Sequence, residues 1–177
     1  MVITHGPAQG MMDYSWRREN AGDPQLLEAV ARARPKLHCF GHIHEAWGAK
    51  LVTWQDTASD NGDRQHHTVA NANKVQNAPE SAAAINDSKS YTIESLSSLN
   101  LGMWRQIPEV AARRYQQLMS YKQERCCRAG VLPEEGSQTL FVNAAAKGGP
   151  SRGLTQRPWL VEISLPRLPR KAERSQG

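Results

Sequence analysis

The stretch "KLHCFGHIHEAWGAKLVTW", residues 36–54, decides how this chain is read. It opens with an apolar run, "KLHCF" (36–40), which is broken by Gly41. It closes with a second apolar run, "AKLVTW" (49–54). Each run has the length and composition of a short buried strand. Between them stand His42 and His44. In a helix, residues i and i+2 point about 200° apart, whereas in extended chain they face the same side. The pair follows strand-like residues, so the two imidazoles are expected to be co-facial at the C-terminal end of a strand. That is where α/β sheets place their sites. Two such rings are able to serve one metal ion or two adjacent ones.

Working outward, "GDPQLLEAVARARP" (22–35) reads as a helix. Asp23 caps it, Pro24 occupies its first turn and Pro35 stops it. Leu26, Leu27, Val30 and Ala33 form its apolar stripe, and Arg32 and Arg34 suit its C-terminal end. Further upstream, "VITHGP" repeats the pattern of strand, histidine and glycine turn, with His5 at the strand end. If both strands lie in one sheet, His5, His42 and His44 converge. Only Val2 and Ile3 precede the turn, so this strand reads as cut short.

Downstream, "TLFVNAA" (139–145) reads as a strand and "WLVEISL" (159–165) as a last one. In the latter, Trp159, Val161, Ile163 and Leu165 share a face. "PEVAARRYQQLMSYKQER" (108–125) has helical spacing through Val110, Ala111, Tyr115, Leu118 and Met119. Residues 55–107 lose the pattern, and no strand is expected there. The order strand, helix, strand, loop, strand gives an α/β (α+β) fold class.

Composition sets further bounds. The 177 residues suffice for one ordinary domain. The net charge of +5 comes from residues 139–177, which hold seven Lys/Arg against two Asp/Glu. The basic tail lacks interleaved aromatics, so nucleic acid is not an expected partner. Three cysteines, Cys39, Cys126 and Cys127, form no CxxC spacing, and Cys39 reads as a buried thiol. No signal peptide and no membrane-spanning run is apparent, so a cytoplasmic protein without membrane association is expected. No oligomeric state follows from the sequence.

"THGP" (4–7), "FGHIHEAWG" (40–48), "LFVNAA" (140–145) and "QRPWLVEISLP" (156–166) together resemble the C-terminal half of a calcineurin-like metallophosphoesterase. Gly41-His42-x-His44 matches that superfamily's GHxH block, and His5 matches the histidine preceding it. The resemblance covers residues 1–54 and 139–166. It implies a partial β-sandwich flanked by helices, interrupted at 55–138 by a largely disordered insertion with a helix near 108–125. Residues 167–177 are expected to form a disordered basic tail.

The resemblance further implies a dinuclear centre of Mn, Fe or Zn that hydrolyses phosphomonoesters or phosphodiesters. His5 and His42 would bind one ion and His44 the other. Read from the residues themselves, Asn143 either orients the site through its amide or is a turn-forming amide at a strand end, and Glu45 is either an exposed-loop acid or a partner of a ligand histidine. His38 is expected to be packed or hydrogen-bonded, and His66 and His67 to be solvated.

The family's DxH, GD and GNH blocks are not found, and "DNGDRQHH" (60–67) is no substitute in place or order. Three histidines shared by two ions leave each short of the usual ligand count. The chain is therefore expected to be an inactive C-terminal fragment with an exposed apolar sheet face. The alternative is a non-catalytic interaction protein derived from the same family.

Overall fold

In the computed structural model, residues 1–55, 84–99, 106–146 and 156–165 are described. The elements are β1 (Val2–Ile3), α1 (Pro24–Ala33), β2 (Leu37–Phe40), a 3-10 turn (His44–Ala46), β3 (Gly48–Thr53), β4 (Tyr91–Ser95), α2 (Pro108–Glu124), β5 (Cys127–Arg128), β6 (Gln138–Asn143) and β7 (Trp159–Leu160). The fold class is mixed α/β, as expected. Five strands form one sheet in the order β1-β2-β6-β3-β4, and β5 pairs with β7 in a separate ribbon.

β1, β2 and β6 run parallel, with Val2 opposite His38 and Leu37 opposite Leu140. β3 returns antiparallel to β6, with Gly48 opposite Asn143, and β4 closes the far edge antiparallel to β3. The ends of β1, β2 and β6 and the start of β3 therefore lie along one rim of the sheet. His5, His42 and Asn143 belong to that rim.

Side-chain alternation splits the core into two layers. Phe40, Val52, Trp54 and Phe141 pack with Leu27 and Val30 of α1. On the opposite face, Leu37, Ala49, Leu51, Leu140 and Val142 pack with Ala129, Val131, Trp159, Val161 and Ile163. Central β6 is buried from Thr139 to Asn143 because both of its faces are covered. This corrects the expectation of an exposed apolar sheet face: residues 129–131 and 159–163 cover it. Ile3, on the β1 edge, is 69% exposed.

α1 forms where the sequence places it. Asp23 Oδ1 accepts from the amides of Gln25 at 2.7 Å and Leu26 at 3.0 Å, and Pro24 begins the helix. Arg34 takes a left-handed φ of 40° and ends it. Three readings need correction. β4 lies inside the stretch read as patternless. The buried anchor of α2 is Tyr121, while Tyr115 and Met119 of its expected stripe are exposed. Only Trp159 and Leu160 of residues 159–165 are hydrogen-bonded as strand, and Leu165 is exposed. Residues 56–83 and the tail from 166 lie outside the described residues, and with them "DNGDRQHH", His66 and His67.

β4 is held by polar partners. Glu94 is fully buried and accepts from Arg114 at 3.2 Å and from the Tyr121 hydroxyl at 3.3 Å. Ser98 also donates to it. Burial first, and the Glu94 charge after it, push the Tyr121 phenol up to about 12. The Cys127 thiol nearby rises to about 12, mainly through desolvation. Cys39 is half-buried rather than fully buried, and burial still raises its thiol.

Candidate metal centre

Because β1 and β2 are adjacent and parallel, the turns after them meet. The Gly41 amide donates to the His5 carbonyl at 3.0 Å. His5 Nε2 then lies 3.0 Å from His42 Nδ1, with the ring centroids 4.7 Å apart and both side chains exposed. Two imidazole nitrogens on one tetrahedral ion stand about 3.3 Å apart. The pair is hydrogen-bonded here, at a spacing close to that separation. Gly41 leaves β2, and His42 takes a φ of 69°, in the left-handed region. That sharp reversal carries His42 toward His5.

His44 begins the 3-10 turn two residues on. His44 and His42 line one cavity of about 430 Å³, together with Ser15, Trp16, Arg17, Glu19, Ala21, Ile43 and Glu45. Among the described residues, no group of three or more His, Cys, Asp or Glu stands where it could hold a metal ion. His5 and His42 are brought together, and His44 shares a cavity wall with His42.

The loop carrying these rings is braced from below. Asn143 is fully buried, and its amide donates to the Ile43 carbonyl at 2.8 Å. Its Oδ1 accepts from the Ala145 amide at 3.1 Å. Gln156 Nε2 donates to the His44 carbonyl at 2.5 Å. Trp47, which ends the turn, donates from Nε1 to Arg157 at 3.2 Å and stacks on Trp159. On the facing side, Glu45 Oε1 accepts from the Trp16 amide.

His38 positions the other side of the site. Its ring is fully buried against Phe40 and Phe141. The Thr4 hydroxyl donates to the Gly6 carbonyl at 2.7 Å, and its oxygen lies 2.9 Å from His38 Nε2. With the hydroxyl proton already committed, His38 must donate from Nε2. Nδ1 is then a buried lone pair without a partner. Desolvation lowers this imidazole to about 4, so it stays neutral and fixes the Thr4–Gly6 turn that presents His5.

Sequence reading missed Trp16 and Arg17, which stand over the same cavity. The signal available was a Trp-Arg-Arg run inside a turn-rich segment, "DYSWRREN" (13–20).

Comparison with known proteins gives short local similarities. The chain is 44% identical over 50 residues to a Homo sapiens protein named metallophosphoesterase domain-containing protein 1, across 27% of this chain and 15% of that protein. It is 43% identical over 49 residues to the Caenorhabditis elegans UPF0046 protein T07D4.2, across 27% of this chain and 12% of that protein. It is also 36% identical over 56 residues to a probable rhamnogalacturonate lyase C of Emericella nidulans, across 30% of this chain and 5% of that protein. The match thus spans less than a sixth of each relative. No family model matches the chain, and no solved structure matches it.

Proposed function

We propose that this chain contributes His5, His42 and His44 to a two-metal centre of the calcineurin-like metallophosphoesterase type, acting on phosphomonoesters or phosphodiesters. The observation that carries this reading is the 3.0 Å approach of His5 Nε2 to His42 Nδ1 across two adjacent parallel strand ends. The local similarity to a protein named for a metallophosphoesterase domain supports it. Divalent Mn, Fe or Zn would supply Lewis acidity and neutralise charge on the phosphoryl oxygens. This chain's own part is to hold three imidazoles on a braced rim. Thr4 and His38 set the His5 turn, and Asn143 and Gln156 set the His42–His44 loop. Carboxylate donors from outside the described residues would complete the site.

No helix among the described residues is long and apolar enough to cross a membrane. Three free cysteines support a cytoplasmic setting.

The test is a Co²⁺ titration of the 177-residue chain followed by visible absorption, beside Mn²⁺-dependent hydrolysis of bis-p-nitrophenyl phosphate. Binding weakened at least about tenfold by His5→Ala and by His42→Ala is expected, without turnover. Mn²⁺-dependent turnover lost in His42→Ala would show the three histidines to belong to a complete site. Co²⁺ binding indifferent to all three histidines would overturn the metal reading and favour a non-catalytic interaction protein.

A further inference from the structure

The segment between β1 and α1 builds a small braced hairpin. Tyr14 bridges Asn20, the Ser15 amide donates to Glu19 at 2.9 Å, and the Arg18 amide donates to Ser15 at 2.9 Å. Its base is fixed by Asp13, which is buried and accepts from the amides of Gly10 at 2.9 Å and Gly22 at 3.1 Å. Its tip is tied to the histidine loop through the Trp16 amide and Glu45. The backbone at the tip is thus held from two sides, yet the Trp16 ring it presents is 77% exposed. A bare indole forgoes the burial free energy that a tryptophan normally gains in a core or an interface.

The placement of that ring gives it a use. Trp16 and Arg17 line the same cavity as His42 and His44, and its volume of about 430 Å³ suits one small molecule. The Arg17 guanidinium lies 5.6 Å from the Trp16 ring centroid, a cation–π distance. Arg17 takes part in none of the ion pairs among the described residues. Glu19 stands on the hairpin wall and opposes a phosphate there. Glu45 lines the cavity beside His44 as well; with metal ions held at the histidines to offset it, a phosphoester would set its phosphoryl group toward His42 and His44 and its ester group toward the hairpin.

We propose that Trp16 is a specificity-determining residue that stacks a planar aromatic ester group, with Arg17 holding the indole in place and adding positive charge beside it. This inference rests on the phosphoesterase reading above for the orientation of the ligand.

The experiment is isothermal titration of the 177-residue chain with 1-naphthyl phosphate, n-butyl phosphate and 1-naphthol. Stacking on an aromatic side chain predicts a preference for naphthyl over butyl phosphate of at least about fivefold. Trp16→Leu should abolish that preference and Trp16→Phe should keep most of it. Trp16 is exposed, so neither change disturbs the core. Equal affinities for the two phosphates, no binding of either at millimolar concentration, or a preference that survives Trp16→Leu would overturn the proposal. So would binding of 1-naphthol as tight as that of its phosphate. The Co²⁺ titration does not involve Trp16, so failure of the metal reading is told apart from failure of this one.

Discussion

The side-chain amide of Asn143 donates to the carbonyl of Ile43, the residue between His42 and His44, at 2.8 Å. One buried side chain at the end of β6 thus sets the path of the loop that follows β2. Asn143→Leu should leave the Ile43 carbonyl without its donor, at about 1–3 kcal/mol of stability. Co²⁺ affinity should fall as well, because the two rings lose their spacing. Chemical denaturation and Co²⁺ titration read the two effects. A variant as stable as the parent with unchanged Co²⁺ affinity would show that the loop holds itself.

His38 makes stability depend on pH. Its folded pKa of about 4 lies below the ordinary 6.5, so on acidification the unfolded chain takes up a proton first. Its contribution is complete above pH 6.5, is lost progressively between 6.5 and 4, and is flat below. The full loss is about 3 kcal/mol. His38→Leu removes the titrating group, so its urea midpoint should fall less than the parent's between pH 7 and pH 4.5. Parallel losses in parent and variant would assign the acid sensitivity to other groups.

Gly48 is held by close approach of two strands. A Cβ there would sit 2.5 Å from the Glu94 carbonyl oxygen, a backbone atom of β4 that cannot swing aside. Gly48→Ala should therefore destabilise the chain by about 1–3 kcal/mol through forced separation of β3 and β4. A melting curve within error of the parent's would mean that the edge strand yields freely.

The sequence disclosed its elements where the signal is local. α1 is bounded by Asp23-Pro24 and Pro35, and β6 is an unbroken apolar run because both of its faces are covered. β4 escaped notice because its sense is inverted: Tyr91 is exposed and Glu94 is buried. That buried carboxylate is paired with Arg114, twenty positions on, and accepts from Tyr121, twenty-seven positions on, and no window around residue 94 contains either. Residues 159–163 show the reverse case. Their alternation gave the packed face, Trp159, Val161 and Ile163, while backbone pairing stops after Leu160. For the site, His5 and His42 each announced themselves as a histidine at a strand end. Their contact depended on β1 and β2 being neighbours, which is a property of sheet order. Trp16 carried no periodic signal, since a hairpin tip has none.

The left-handed φ of 69° at His42 sets the site against the stability of the chain that carries it. A residue with a Cβ gives up about 1 kcal/mol in that region, and glycine gives up nothing. His42→Gly should raise the melting temperature while it removes the imidazole, and His42→Ala should remove the imidazole without that gain. Equal melting temperatures for the two variants would show the turn to be unstrained. If the gain is seen, any search for hardier versions of this protein that ignores metal binding will drift toward glycine at this position. Persistence of histidine there would then be a record of selection for what the ring does.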